Sequence, residues 1–163
     1  MRKIKIVKSK DALVSTRKYY LAYGLNTNLQ SMLARCPDAK LLGNVLIKGY
    51  KLVFKTHCDI VAEKNSDLNC VLWSITQQCE KNLDLLEGYP EYYVKKNLNV
   101  SFQGKTVQAL IYCMREKNSE ILPSQNYLDL VVAGYRENKL DLDQIKRALL
   151  SAHKQETNNS YKV

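Results

Sequence analysis

Short apolar runs alternate with polar turn clusters along the chain, and their periodicity switches between a strand-like period of two and a helix-like period of about 3.6. Residues 19–23 (YYLAY) read as a buried strand, and 27–35 set Leu29, Met32 and Leu33 at helical spacing. Between them lies the turn Gly24, Leu25, Asn26, where Asn26 or Thr27 is placed to cap the helix. Beyond Cys36 and Pro37, residues 39–46 and 49–54 predict two strands, and 69–75 (NCVLWSI) a third. Thr76 is positioned to cap a helix carrying Cys79, Leu83, Leu85 and Leu86, with Gly88 just past its end. Residues 92–102 and 106–114 predict two strands joined at Gly104 and Lys105. Ser124 caps a segment with Leu128, Val131 and Val132, and 142–153 form a second amphipathic helix bearing Ile145, Leu149 and Leu150. From Gln155 the chain is polar and expected to fray.

Strands crowd the middle and helices fill the gaps and the end, without the regular alternation of a doubly wound sheet. The expected class is α+β. Five or six such strands can close into a small mixed β-barrel flanked by helices, which removes sheet edges and leaves one mouth for a ligand. No repeat or linker divides the chain, so one domain is expected over 19–154, preceded by a basic arm or edge strand at 1–18 and followed by a polar tail at 155–163.

Composition narrows the function classes. With 45% hydrophobic and 25% charged residues over 163 positions, disorder is excluded and a core can be built without staples. No apolar run reaches the ~18 residues of a spanning helix, so no membrane partner is expected. The first ten residues lack the apolar stretch of a secretory signal, which makes the cytoplasm the expected location. Five cysteines (Cys36, Cys58, Cys70, Cys79, Cys113) match neither a disulfide framework nor paired zinc spacing, and two histidines (His57, His153) cannot build a multi-histidine metal centre. Reduced, mostly buried thiols and no metal are expected. The net charge of +9, densest at Arg2, Lys3, Lys5, Lys8, Lys10, Arg17 and Lys18, makes a nucleic acid partner a legitimate alternative, although solvated charge explains such a run equally well.

Three features could carry chemistry. The turn Tyr23, Gly24, Leu25, Asn26 would expose several amide N–H groups at a helix start, a seat for a carboxylate or phosphate, or would simply be a tight turn. Glu87 stands between Leu86 and Gly88 at the end of an apolar helix face. Burial there would raise its pKa towards neutrality and suit it to take up and return one proton, whereas a solvent-facing Glu would do neither. Eleven tyrosines against two Phe and one Trp, including Tyr89, Tyr92, Tyr93, Tyr112 and Tyr127, can line a polar pocket or pack a half-polar core. Cys58 and His57 suggest a thiol nucleophile, but neighbours on a strand point to opposite faces and are not expected to share a proton.

Taken in order, these motifs over about residues 19–150 resemble the γ-glutamylcyclotransferase-like (AIG2-like) superfamily. The family's YxAYGSN stretch is matched by Tyr20, Leu21, Ala22, Tyr23, Gly24, Leu25, Asn26, with Leu25 in place of the usual serine. Met32 and the Arg35, Cys36, Pro37, Ala39 stretch follow; then Gly49, Tyr50 and Phe54, then Val71, Leu72, Trp73 and Ile75. Leu83, Asp84, Glu87 and Gly88 match the catalytic segment, and Pro123, Ser124, Tyr127, Gly134, Asn138 and Leu140 the C-terminal pattern. Lys95 stands where an Arg is often found. The resemblance implies Glu87 as catalytic acid/base, and Tyr23, Gly24, Leu25, Asn26, Tyr93, Tyr112 and Tyr127 as substrate-binding residues. It implies cyclisation of a γ-glutamyl compound to 5-oxoproline with release of an amine or amino acid, without metal or organic cofactor. A non-catalytic binder of a small anionic metabolite is the alternative on the same fold, motivated by Leu25.

Overall fold

A computed structural model describes residues 16–160. The greater part of the basic arm expected at 1–18 lies outside the described residues, as does the end of the polar tail. Five strands and four helices follow in chain order: β1 (Lys18–Ala22), a 3-10 turn (Leu25–Thr27), α1 (Leu29–Arg35), β2 (Lys40–Lys55), β3 (His57–Ile75), α2 (Gln77–Glu87), β4 (Tyr93–Phe102), β5 (Lys105–Met114), α3 (Gln125–Glu137) and α4 (Leu142–Ser160). The sheet order is β2-β3-β1-β5-β4. β1 is parallel to β5 and antiparallel to β3, and both outer pairs are antiparallel, so the sheet is mixed.

The α+β class holds, but the barrel is open. The edge strands β2 and β4 approach one another and share no ladder. Phe102 lies against Gly43 at that approach, where a register shift between Leu41 and Gly43 bends β2 and breaks the regular backbone spacing a closing ladder needs. Trp73, Phe54, Leu21, Leu72, Met32 and Tyr135 are fully buried at the centre of the core. All five cysteines are buried and unpaired.

Two strand boundaries differ from the pattern reading. The strands expected at 39–46 and 49–54 are one strand, β2, because Gly49 (φ 82) forms a bulge between Lys48 and Tyr50 instead of a turn. The strand expected at 69–75 is only the end of β3, whose first half pairs with β2 from Lys55↔His57 onward. That half runs through the exposed residues Ala62, Glu63, Lys64 and Asn65, so backbone pairing rather than burial holds it and no alternation marks it.

The helix ends follow their capping chemistry. Thr76 accepts from the Cys79 amide, Ser124 from the Tyr127 amide, and Gly88 closes α2 in the left-handed conformation (φ 60). Asn28, and neither Asn26 nor Thr27, caps α1 by accepting from Ser31 N at 2.9 Å, since the 3-10 turn delays the helix start. α4 continues to Ser160 where a frayed tail was expected from Gln155. The Gln155 and Glu156 side chains accept from the amides of Glu120 (2.9 Å) and Leu122 (3.0 Å), and these long-range bonds tie the last turns down. Among the described residues, no helix is long and apolar enough to cross a membrane. The described end of the basic arm is engaged: Arg17 binds Ser74 and the Asp38 carbonyl, and Lys18 pairs with Glu80.

Candidate active site

The exit of β1 and the end of α2 converge on one cavity of about 220 Å³. Gly24, Leu25 and Asn26 form one side, Leu86 and Glu87 another, and Tyr23, Tyr93, Tyr112 and Tyr127 complete the set expected from the sequence. Tyr20, His57, Cys58 and Leu86 also line it, and the pattern reading did not mark them as site residues. Tyr89 and Tyr92 are not part of the wall and remain exposed.

Gly24 is required here for close approach and not for a left-handed backbone. Its φ is −120°, but a Cβ would stand 2.8 Å from the Cys58 Cβ and 3.3 Å from the Tyr127 hydroxyl. Pressed against β3, the loop turns: the Thr27 and Asn28 amides donate back to the Gly24 and Leu25 carbonyls at 3.0 Å. The amides of Gly24, Leu25 and Asn26 have no protein acceptor among the described residues. Adjacent unpaired N–H groups beside the cavity are suited to an anion.

Asn26 links this loop to Glu87. Its carbonyl accepts from the Trp73 indole (3.2 Å) and its side-chain oxygen from Arg35 (3.2 Å). Its amide nitrogen donates to the Tyr20 hydroxyl (3.0 Å) and reaches Glu87 Oε1 at 3.5 Å. Burial pushes the Glu87 carboxyl up from 4.5 to about 7, against the opposing pull of the Arg35 guanidinium. A carboxyl so placed is divided between its two protonation states at neutral pH.

α2 brings Glu87 there because Leu83 is fully buried on its inner face and Glu80 and Asp84 anchor its side. Lys95 binds both carboxylates at 2.8 Å, so the lysine that replaces the familiar arginine still ties β4 to α2. The Tyr112 hydroxyl donates to Asp84 (2.5 Å) and the Tyr23 hydroxyl to the Tyr112 carbonyl (2.6 Å). The backbone of Cys58 fixes two more phenols: its amide donates to the Tyr127 oxygen and its carbonyl accepts from Tyr93, both at 3.0 Å. The Tyr127 hydroxyl also stands within hydrogen-bonding reach of the Cys58 thiol.

His57 and Cys58 both reach the cavity wall, contrary to the strict alternation expected of a strand. They stand at the start of β3 beside the tight turn at Thr56 (φ 69), where the strand is least regular. Burial pushes the Cys58 thiol up to about 12, and His57 sets its ring edge-on against Tyr127 (4.8 Å). The thiol is protonated and is no nucleophile at neutral pH. Among the described residues no group of three or more His, Cys, Asp or Glu side chains is arranged to hold a metal ion.

α3 supports the loop from behind. The Tyr135 hydroxyl donates to the Tyr23 carbonyl (2.7 Å), and a Cβ on Gly134 would lie 2.5 Å from the Asn28 nitrogen and 2.8 Å from the Thr27 carbonyl carbon. Both neighbours are backbone and cannot swing aside. Gly134→Ala is therefore expected to destabilise the fold by roughly 1–3 kcal/mol, seen as a lower urea midpoint at unchanged slope; an unaltered midpoint would mean that α3 can shift freely.

Residues 20–129 match the profile of the family described as gamma-glutamyl cyclotransferase, AIG2-like. The chain belongs to this family. Among solved structures, a protein named gamma-glutamyl cyclotransferase superposes with a TM-score of 0.72 at 25% identity, over 80% of this chain and 86% of that one. The human protein loc79017 gives a TM-score of 0.71 at 26% identity, over 80% and 85%. YkqA from Bacillus subtilis shares the fold, with a TM-score of 0.72 at 22% identity over 83% of this chain and 55% of its own. No curated protein sequence matches the chain. The cavity between the first loop and the end of α2 carries a leucine, Leu25, in its amide loop.

Proposed function

We propose that this member of the family is a γ-glutamyl cyclotransferase that converts a γ-glutamyl compound to 5-oxoproline and a free amine. The observation that carries the reading is the Glu87 carboxyl, shifted to about 7, sharing one small cavity with the unpaired amides of Gly24, Leu25 and Asn26. The substrate's α-carboxylate sits on those amides, and its α-ammonium then faces Glu87. The Glu87 carboxylate takes the ammonium proton, the freed nitrogen attacks the δ-carbonyl carbon, and a five-membered lactam closes. As the δ-carbon–nitrogen bond breaks, Glu87 returns the proton to the leaving nitrogen; the ring nitrogen still holds a second proton, which Glu87 takes and passes to the departing amine, so the products are a neutral lactam and an ammonium.

The enclosing walls supply geometry. Holding the chain folded on itself replaces an improbable encounter by a near-attack arrangement. The phenols of Tyr23, Tyr93 and Tyr112 are already engaged with Tyr112, Cys58 and Asp84, which makes them rigid walls. Tyr127, whose oxygen accepts from the Cys58 amide, is the phenol suited to turn its proton to the δ-carbonyl oxygen as charge develops there. Leu25 contributes a backbone amide in either case, so loss of the serine hydroxyl leaves the carboxylate seat intact.

The direct test is incubation of the purified protein with γ-glutamyl amino acids, γ-glutamylamines and glutathione, with 5-oxoproline measured. Formation from at least one is expected, and none from any of them would end the reading. The Leu25 replacement also motivates a non-catalytic binder, which predicts a carboxylate-bearing ligand retained by the protein and recovered unchanged.

A further inference from the structure

The cavity divides by exposure into a floor and a rim. Tyr20, Tyr23, Gly24, Asn26, Cys58 and Tyr112 are buried, whereas Leu25, His57, Leu86, Tyr93 and Tyr127 are half-buried or exposed. The floor carries the amides of Gly24 and Asn26, and the whole cavity of about 220 Å³ is small, so the leaving part of a substrate must pass outward over the rim. Two of those rim groups are leucines, two are phenols, and the last is an imidazole set edge-on against Tyr127.

Among the described residues Glu87 is the one carboxyl of this passage and His57 its one basic side chain. Among the described residues no lysine or arginine lines the cavity. Arg35 binds Asn26 and the Ser31 carbonyl, and Lys95 is held by Glu80 and Asp84. No second carboxylate lines it either; Glu63, Asp67, Glu91 and Glu116 are all exposed and lie outside the wall.

Two further apolar side chains close to Glu87 in the chain are left in water. Leu85 is 83% exposed and Leu86 46%, and Tyr92, 76% exposed, packs its ring against Gly88 directly after Glu87. Apolar side chains left in water beside a cavity mouth mark a place where a ligand is expected to cover them.

Resting on the cyclotransferase reading above, we propose that the leaving group is an uncharged apolar or aromatic amine, lodged over Leu25 and Leu86 at the rim. An α-amino acid as leaving group would bring a carboxylate two bonds from the nitrogen that Glu87 must protonate. That anion would face the Glu87 carboxylate at a rim that carries no lysine or arginine, and like-charge juxtaposition in a partly dry site is strongly unfavourable. A polyamine or lysine-like group would place an ammonium among leucines and phenols without a carboxylate to pair with.

Three substrates separate the possibilities: γ-glutamyl-phenethylamide, γ-glutamyl-phenylalanine, which adds only the carboxylate, and γ-glutamyl-ethylamide, which removes only the ring. The phenethylamide is expected to exceed each of the other two in kcat/KM by roughly tenfold or more. Leu86→Lys, which sets a cation on the rim, is expected to narrow the gap between phenethylamide and phenylalanine. Equal or better turnover of γ-glutamyl-phenylalanine by the unaltered protein would overturn the leaving-group assignment while leaving the cyclotransferase reading in place. Equal turnover of the ethylamide would remove the role of the apolar rim. No 5-oxoproline from any of the three, together with none from glutathione, would instead remove the reaction on which the assignment rests.

Discussion

Glu87→Gln is expected to yield a folded protein that forms 5-oxoproline at least about 10³ times more slowly than the unaltered chain, since the proton transfers of the proposed cycle all run through this one carboxyl. The amide is nearly isosteric and can still accept from Asn26, so the cavity is preserved and the loss falls on kcat. Retained turnover in Glu87→Gln would remove the residue from the chemistry. The pH dependence follows from the same group. The reaction needs the carboxylate to receive the ammonium proton, and that form predominates above about 7. The kcat/KM of the unaltered protein should therefore fall about tenfold per pH unit on the acid side of that value, and a flat profile from pH 5 to 8 would contradict the assignment.

The same shift has a stability consequence of opposite sign. The folded-state value is raised above the unfolded 4.5, so the native state binds the proton more tightly between 4.5 and about 7. The stabilisation is complete below 4.5 and is lost as pH rises through about 7. Gln at position 87 resembles the neutral acid at every pH. Thermal unfolding of Glu87→Gln and the unaltered protein should coincide in acid, with the variant the more stable of the two at pH 8. A functional group held against its preferred charge state behaves in this way.

Asp59→Ala carries the largest expected loss of stability. Asp59 Oδ2 and Lys55 Nζ stand 2.7 Å apart with side-chain exposures of 2% and 7%, and Asp59 Oδ1 also accepts from the Met114 amide at 2.9 Å. Removing the carboxylate strands a buried ammonium and a buried amide together, which costs about 3–5 kcal/mol for the pair. Differential scanning calorimetry should show a melting temperature lower by roughly 10 °C. Converting both residues to leucine should recover much of the loss, because the intact pair itself contributes little net stability against an apolar replacement. A single Ala variant that melts with the unaltered protein would mean that water reaches the pair. The pair flanks the turn that delivers Cys58, whose backbone holds Tyr93 and Tyr127, so Asp59→Ala is also expected to raise KM.

Much of the architecture was legible in one dimension. Strand β1, the β4–β5 hairpin, α2 and α3 all carry local signals: alternation over 92–102 and 106–114, a threonine or serine cap, and glycine at a helix end. What escaped was held by distant partners. The polar first half of β3 is a strand because β2 lies alongside it, and α4 runs past Gln155 because that side chain reaches the Glu120 amide. Gly24 looked like a turn-former and is instead a point of contact with Cys58. Tyr20 resembled an ordinary core residue and Cys58 a nucleophile that strand alternation argued against, and no local pattern could have marked them as the floor of a cavity.

The sequence by itself determined which residues could do the work: a carboxyl at the end of an apolar helix face, an amide-rich turn after the first strand, and a surplus of phenols, together with the ordered motifs of a family. These are properties of neighbours in the chain, and periodicity and side-chain chemistry report them directly. Only the tertiary structure decided that Asn26 and Glu87, 61 positions apart, meet at 3.5 Å, that Arg35 opposes and burial raises the Glu87 pKa, and that the edges of the sheet remain unjoined. Desolvation depends on every segment packed around a group, and that sum is fixed only when the chain has folded.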